Sequence, residues 1–207
     1  MKHVKKMMLA CLGVGLLLTG CRKDAIDNLS AEESRIYITN HDANAGFSTY
    51  KTFSIADSVL VVTDNSGRKQ LNATDVAFIN AFKTAMQSKG YTLVNKNQTP
   101  DLGVQISRII QTSTGYVTYP DYYGYWDPFY WGYGGYGYGN PYWGIASYQV
   151  SEGMLGFDVV DLKNAAAGKN LNVVWNGLIR GSGIFNAATA DSQVQQLFGQ
   201  SPYFITN

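Results

Sequence analysis

The chain has 207 residues, enough for one domain with appendages, and carries 16 basic against 15 acidic side chains. That balance, with no cluster of Lys and Arg, excludes both the electrostatic footprint of a nucleic-acid binder and a polybasic patch for anionic lipid. With Cys11 and Cys21 as its two cysteines, the chain has no disulfide framework to lean on and must rely on a hydrophobic core.

Residues 1–20 read as a leader. Lys2, Lys5 and Lys6 make a positive start, and Leu9 to Leu18 make an apolar stretch too short to be an ordinary membrane span. Leu18-Thr19-Gly20-Cys21 follows, small residues directly before a cysteine. This resembles the lipobox of bacterial lipoproteins. The resemblance implies that the leader is cut before Cys21 and that the Cys21 sulfur is diacylated, with the new amine commonly acylated as well. The membrane would then be the first partner, reached through two or three acyl chains, which stable attachment requires. Loss of the leader takes Cys11 and three lysines with it, leaving no second cysteine and a slightly negative domain. Residues 21–34 are polar and read as a tether. Arg22-Lys23-Asp24 reads as solvated spacer, and Ser30-Ala31-Glu32-Glu33 can nucleate one capped turn.

Arg35–Thr39 alternates as a short strand, and His41-Asp42-Ala43-Asn44 is turn chemistry. Phe47–Ile55 resumes the alternation, Val59–Val62 is a further apolar run, and Asp64-Asn65-Ser66-Gly67 breaks it. A helix is expected next. Asn72 or Thr74 can cap it, and Val76, Phe78, Ile79, Phe82, Ala85 and Met86 recur at helical spacing. Gly90 supplies the left-handed stop, with Tyr91 closing over Met86. Tyr91–Val94 can start a strand. Pro100 and Asp101 open the clearest strand, with Leu102, Val104, Ile106 and Ile110 on one side.

The stretch Tyr116–Trp143 stands apart. Half of its 28 residues are aromatic, ten Tyr, three Trp and one Phe, with six Gly and three Pro among the rest. Its glycines alternate with tyrosine and precede no helix start or P-loop Lys, so they make no phosphate cradle. Three readings stay open: a recognition surface, a loop folded back over the sheet, or a mobile segment. The candidate binding surface is Tyr122, Tyr123, Trp126, Phe129, Trp131 and Trp143. Beyond it, Tyr148–Leu162 reads as one long strand, with Leu155, Phe157 and Val159 on one face. Residues 164–168 form a hairpin connection, and Leu171–Gly181 returns with Leu171, Val173, Trp175 and Ile179 inward. Ala187, Ala190, Val194, Leu197 and Phe198 mark a second helix stopped by Gly199, and the tail from Ser201 is short and ends in polar residues.

The expected fold class is α+β. An antiparallel sheet of about five to seven strands carries two helices on one face in two layers, with the aromatic loop inserted between strands. No crossover helix is available between Leu102 and Gly181, which argues against a parallel sheet. The single domain spans 35–203, with 116–143 as its insertion. Phe47-Ser48-Thr49-Tyr50-Lys51-Thr52-Phe53, Lys89-Gly90-Tyr91, Pro100-Asp101-Leu102-Gly103-Val104, Glu152-Gly153-Met154-Leu155 with Phe157-Asp158-Val159-Val160-Asp161, and Val174-Trp175-Asn176-Gly177 resemble a family of bacterial envelope lipoproteins, the domain of unknown function 4136. That resemblance implies a fold and an envelope location, most simply the outer membrane, but no activity.

Catalytic constellations are scarce. His41 is the one histidine beyond the leader, and no G-x-S-x-G elbow presents a serine to it. Glu152 and Asp158 share one face of the expected strand about 20 Å apart, beyond the roughly 5–9.5 Å of a glycosidase pair. Asp158 and Asp161 point opposite ways, and Asp161 and Asp101 read as strand-end residues. The expectation is therefore no enzyme, no catalytic residue, no metal and no cofactor. It is a lipid-anchored binding or structural module presenting its aromatic loop to an envelope protein or glycan. The alternatives are a carboxylate-using hydrolase and a self-associating structural lipoprotein.

Overall fold

The computed structural model describes residues 29–63, 66–110, 115–118, 127–139, 147–150, 153–165 and 170–206. The chain divides into two units, Met1–Ser34 and Arg35–Asn207. In the first, residues 31–34 form the expected turn. Ser30 N–H donates to the Glu33 carboxylate (2.9 Å), and Glu33 N–H donates to the Ser30 hydroxyl (3.2 Å).

The second unit is built on four antiparallel strands in the spatial order β1 (Ile36–His41), β11 (Asn170–Arg180), β10 (Met154–Asp161) and β6 (Leu102–Ile109). Both outer edges of this block are shared. β2 (Thr52–Ile55) and β3 (Val59–Thr63) lie one after the other along β6, both parallel to it. β8 (Gly137–Gly139) lies parallel to the first residues of β11, beside β1. β5 (Thr92–Leu93) adds to β2 in parallel, and β4 (Ser66–Gln70) returns antiparallel on β3. The sheet thus holds nine strands. A separate pair joins β7 (Gly115–Thr118) to β9 (Ser147–Val150).

A purely antiparallel sheet of five to seven strands is therefore corrected to a larger, mixed one. For β2 and β3 on β6, and for β5 on β2, the crossover includes α1 (Ala73–Ser88), upstream of the interval in which the sequence lacks a helix. β8 and β11, inside that interval, pair in parallel with β9 and β10 between them in the chain. Phe47–Ile55 is corrected too. Phe47–Thr49 is a 3-10 turn, and only Thr52–Ile55 extends. The long strand expected over Tyr148–Leu162 is broken at Gly153, whose φ is +122°.

α1 begins and ends as its sequence dictates. Asn72 Oδ1 accepts Asp75 N–H and Asp75 Oδ2 accepts Asn72 N–H, both at 2.9 Å. At the other end Gly90 (φ +93°) donates to the Gln87 carbonyl (3.0 Å) and Tyr91 to the Met86 carbonyl (3.2 Å), the two bonds of a Schellman motif. Val76, expected inward, is 40% exposed; Asp75 is buried in its stead. Its carboxylate lies 2.9 Å from Arg108 Nε.

α1 and α2 (Ala190–Gly199) cover one face, where Phe78, Phe82, Phe157, Trp175 and Phe198 form the aromatic centre of the main core. Ala187 lies outside α2, exposed in a preceding 3-10 turn. A second apolar layer lies on the opposite face, around Leu60, Ile109, Val160, Leu171, Val173 and Leu178. The two layers explain a further correction. Val159 pairs with Trp175 but Val160 with Val173, so Val174 is an extra residue in β11. The bulge reverses the alternation, so Leu171 and Val173 join the second layer while Trp175 and Ile179 join the helices. The tail is core as well, since Phe204 is fully buried and stacks on Phe198 at 5.5 Å.

Candidate functional site

The motif residues fasten strands together. Asp101 Oδ2 accepts the N–H groups of Lys51 (2.6 Å) and Thr52 (3.3 Å), and Thr52 Oγ1 accepts Asp101 N–H (3.0 Å). Tyr50 donates its hydroxyl to Asp161 Oδ2 (3.0 Å), and Asn164 donates its side chain and its N–H to the same carboxylate (2.6 and 3.0 Å). Burial first, then the neighbouring Asp161 charge, raises the Tyr50 phenol well above its ordinary value. Trp175 Nε1 donates to Ser201 Oγ (2.9 Å), and a Cβ on Gly177 would come 2.5 Å from the Trp175 ring. The Asp101, Tyr50–Asp161 and Trp175–Ser201 contacts each join segments distant in sequence.

Asp158 and Asp161 do face opposite sides of β10. Asp161 serves Tyr50 on the helix side. Asp158, fully buried, sits on the other face in line with Gln105, Asn176 and Asn40, one residue from each central strand. Asn176 Nδ2 donates to Asp158 Oδ1. Tyr138 lies near the same carboxylate; burial is the main cause raising its phenol, with Asp127 and Asp158 adding to it. Glu152 lies outside the described residues. His41 ends β1, exposed, with its ring stacked on Tyr203 at 3.9 Å. Among the described residues no three His, Cys, Asp or Glu side chains gather as a metal site.

Residues 127–139 of the aromatic insertion are seated on the second face. Asp127 caps a 3-10 turn over Pro128–Trp131 by accepting Phe129 N–H (3.0 Å), and Gly132 closes it at φ +83°. Trp131 turns inward, 7% exposed, against Gly103, where a Cβ would lie 3.1 Å from its ring. Tyr133 donates its hydroxyl to the Leu162 carbonyl (2.9 Å). Phe129 turns outward, 74% exposed, its ring resting on Gly134. Of the six expected surface residues, then, Phe129 is presented to solvent and Trp131 belongs to the core. Tyr122, Tyr123, Trp126 and Trp143 lie outside the described residues, as does Cys21.

Between these two neighbours in the turn, Tyr130 reaches the sheet edge, where its hydroxyl accepts Asp57 N–H (3.0 Å). Beside it opens a cleft of about 450 Å³ lined by Ile55, Asp57, Lys83, Val94, Lys96 and Tyr130 among others. Lys96 Nζ stands 3.9 Å above the Tyr130 ring. Sequence reasoning missed this cleft. Its walls come from β2, α1, the turn after β5 and the insertion, and no local spacing links them. Tyr130 alone carried a hint, as one ring in an aromatic run.

The family described as Domain of unknown function (DUF4136) matches residues 38–203. A crystal structure of a DUF4136 family protein from Bacteroides thetaiotaomicron is similar at 32% identity and a TM-score of 0.60, covering 83% of this chain and 98% of that one. A PDZ domain protein from Parabacteroides distasonis aligns at 14% identity and a TM-score of 0.41, over 82% of this chain and 36% of that one. No curated protein matches the chain. With the family matched across nearly the whole folded unit and a relative covered almost end to end, the chain belongs to the DUF4136 family.

Proposed function

We propose that this is a lipid-anchored protein of the bacterial cell envelope, without catalytic machinery, that holds another envelope component on the outer side of its aromatic insertion. The anchor is Cys21, behind a leader with a positive start, a short apolar stretch and small residues before the cysteine. One observation carries the binding half of the reading. Within a single capped turn, Trp131 is buried as a root while Phe129, two residues earlier, is 74% exposed. A large ring held rigidly outward on an anchored turn gives contact area at low entropic cost, which is what hot-spot residues provide. The cysteine and the ring support separate halves of the proposal.

The test is cross-linking in living cells from a photoreactive side chain at position 129. A discrete adduct is expected, and it should disappear when the protein is released from the membrane by Cys21→Ser. Phe129→Ala should leave the melting temperature unchanged, because the ring contributes little to the core. An unmodified Cys21 sulfur by mass spectrometry would overturn the anchor. A position-129 probe that captures nothing, while probes on the opposite helix face do, would overturn the surface.

A further inference from the structure

The cleft beside Tyr130 lies on an unfinished strand edge. β5 pairs with β2 only as far as Phe53, where Val94 N–H donates to the Phe53 carbonyl (2.9 Å). Ala56 N–H turns the other way, onto the Val104 carbonyl (2.9 Å). Alternation therefore directs the Ile55 peptide group away from β6 and into the cleft. The edge is closed again at Asp57, by the Tyr130 hydroxyl. Between the two closures one stretch of β2 backbone opens on a space of about 450 Å³.

The walls of that space are unlike one another. Val94 and the 37% exposed Leu93 give an apolar side. Lys83 from α1 and Lys96 from the 3-10 turn Lys96–Gln98 give two ammonium groups, neither with a carboxylate partner among the described residues. Asp57 is the one acid in the lining, so the cleft is net positive. Open backbone, an apolar wall and two cations without a carboxylate, Lys96 steadied over the Tyr130 ring, together describe the needs of an extended peptide with an acidic end.

We propose that this cleft takes the carboxylate end of an extended peptide, which adds to β2 at Ile55 and sets its acidic terminus on Lys83 and Lys96. The inference rests on the reading of the domain as a binding module, but on a different surface from Phe129. The probe is a fluorescein-labelled pentapeptide of alternating Thr and Val ending in Glu with a free carboxylate, titrated against the full chain in detergent and followed by anisotropy. Saturable binding is expected. It should weaken about tenfold or more for the same peptide with Gln and a C-terminal amide, and by a similar factor for the Lys83→Gln, Lys96→Gln double variant. Bound peptide should also slow hydrogen exchange at the Ile55 amide. The cleft assignment is overturned by no saturable binding up to millimolar peptide, by equal affinity for acid and amide, or by an Ile55 amide that stays unprotected. Binding that is lost in Phe129→Ala but kept in the lysine variant would overturn the cleft while leaving the proposed function standing.

Discussion

Asp101 shows how an acidic residue can hold a fold together without chemistry. Its carboxylate accepts two backbone N–H groups from the start of β2, and its own N–H donates to the Thr52 hydroxyl. The exchange closes the point where β2 and β6 begin side by side, and the Asp101 carbonyl then accepts Leu162 and Lys163 N–H at 2.9 and 3.1 Å. Removing the carboxylate strands two donors, so Asp101→Ala should cost about 1–3 kcal/mol. Asp101→Asn keeps one acceptor oxygen and should cost less. Urea unfolding tests both, with a lower midpoint and an unchanged slope expected for each. The Pro100-Asp101 pair shows in sequence that a strand opens here. That its partners lie about fifty residues upstream is information of the folded chain alone.

At the scale of elements, α1 was legible because everything that defines it is local. Asn72 and Asp75 are three apart, the apolar positions recur at helical spacing, and Gly90 follows the last turn. Its one misplaced residue, Val76, lost its inward position to the Asp75–Arg108 pair, a partner on β6 that periodicity does not see. The bulge at Val174 and the burial of Phe204 were illegible for the same reason. Each depends on what a distant segment places opposite: Val159 and Val160 in the first case, Phe47, Tyr91 and Trp175 in the second. The insertion was legible as a feature, and its inward and outward rings were not. Trp131 and Phe129 are alike in composition terms, and what separates them is the close packing of the Trp131 ring over Gly103, which has no Cβ in the way. The C-terminal tail supplies the prediction at this scale. Thr206 N–H donates to the Lys89 carbonyl (3.1 Å) and its hydroxyl to the Tyr50 carbonyl (2.7 Å), so the tail straps the end of α1 to the start of β2. Gly90 sits under that strap at φ +93°, and a Cβ there would meet Thr206 Cγ2 at 2.7 Å. Gly90→Ala should therefore destabilise by more than about 1 kcal/mol, through backbone strain and a displaced tail. Phe204→Ala should cost about 3–5 kcal/mol. The two can be told apart by protection of the Thr206 amide against hydrogen exchange, which is lost in the glycine variant before global unfolding begins.

Taken whole, the molecule buries tyrosine on both sides of its sheet. Tyr50 and Tyr91 close the helix-side core, and Tyr138 belongs to the insertion on the second face. Burial is the leading cause that raises all three phenols above their ordinary value, with Asp161 adding to it at Tyr50 and Asp127 at Tyr138. In the unfolded chain the same phenols lose their protons near pH 10. The folded state keeps them to higher pH, so above that value the unfolded state binds fewer protons, and stability falls as pH rises. The contribution is fully present below about pH 10 and is lost progressively above it, toward the raised folded values. Alkaline unfolding should follow, with part of the phenolate absorbance appearing together with the loss of the folded circular dichroism instead of ahead of it. Tyr50→Phe sharpens the test. At neutral pH the variant lacks the bond to Asp161 and should be less stable by about 1 kcal/mol. Above pH 10 it also lacks one of the phenols that pull the chain open, so its deficit against the parent should shrink. A deficit that stays constant with pH, or phenols that all titrate near their ordinary value while the fold persists, would mean that these rings are reached by water and that the two apolar layers are not closed around them.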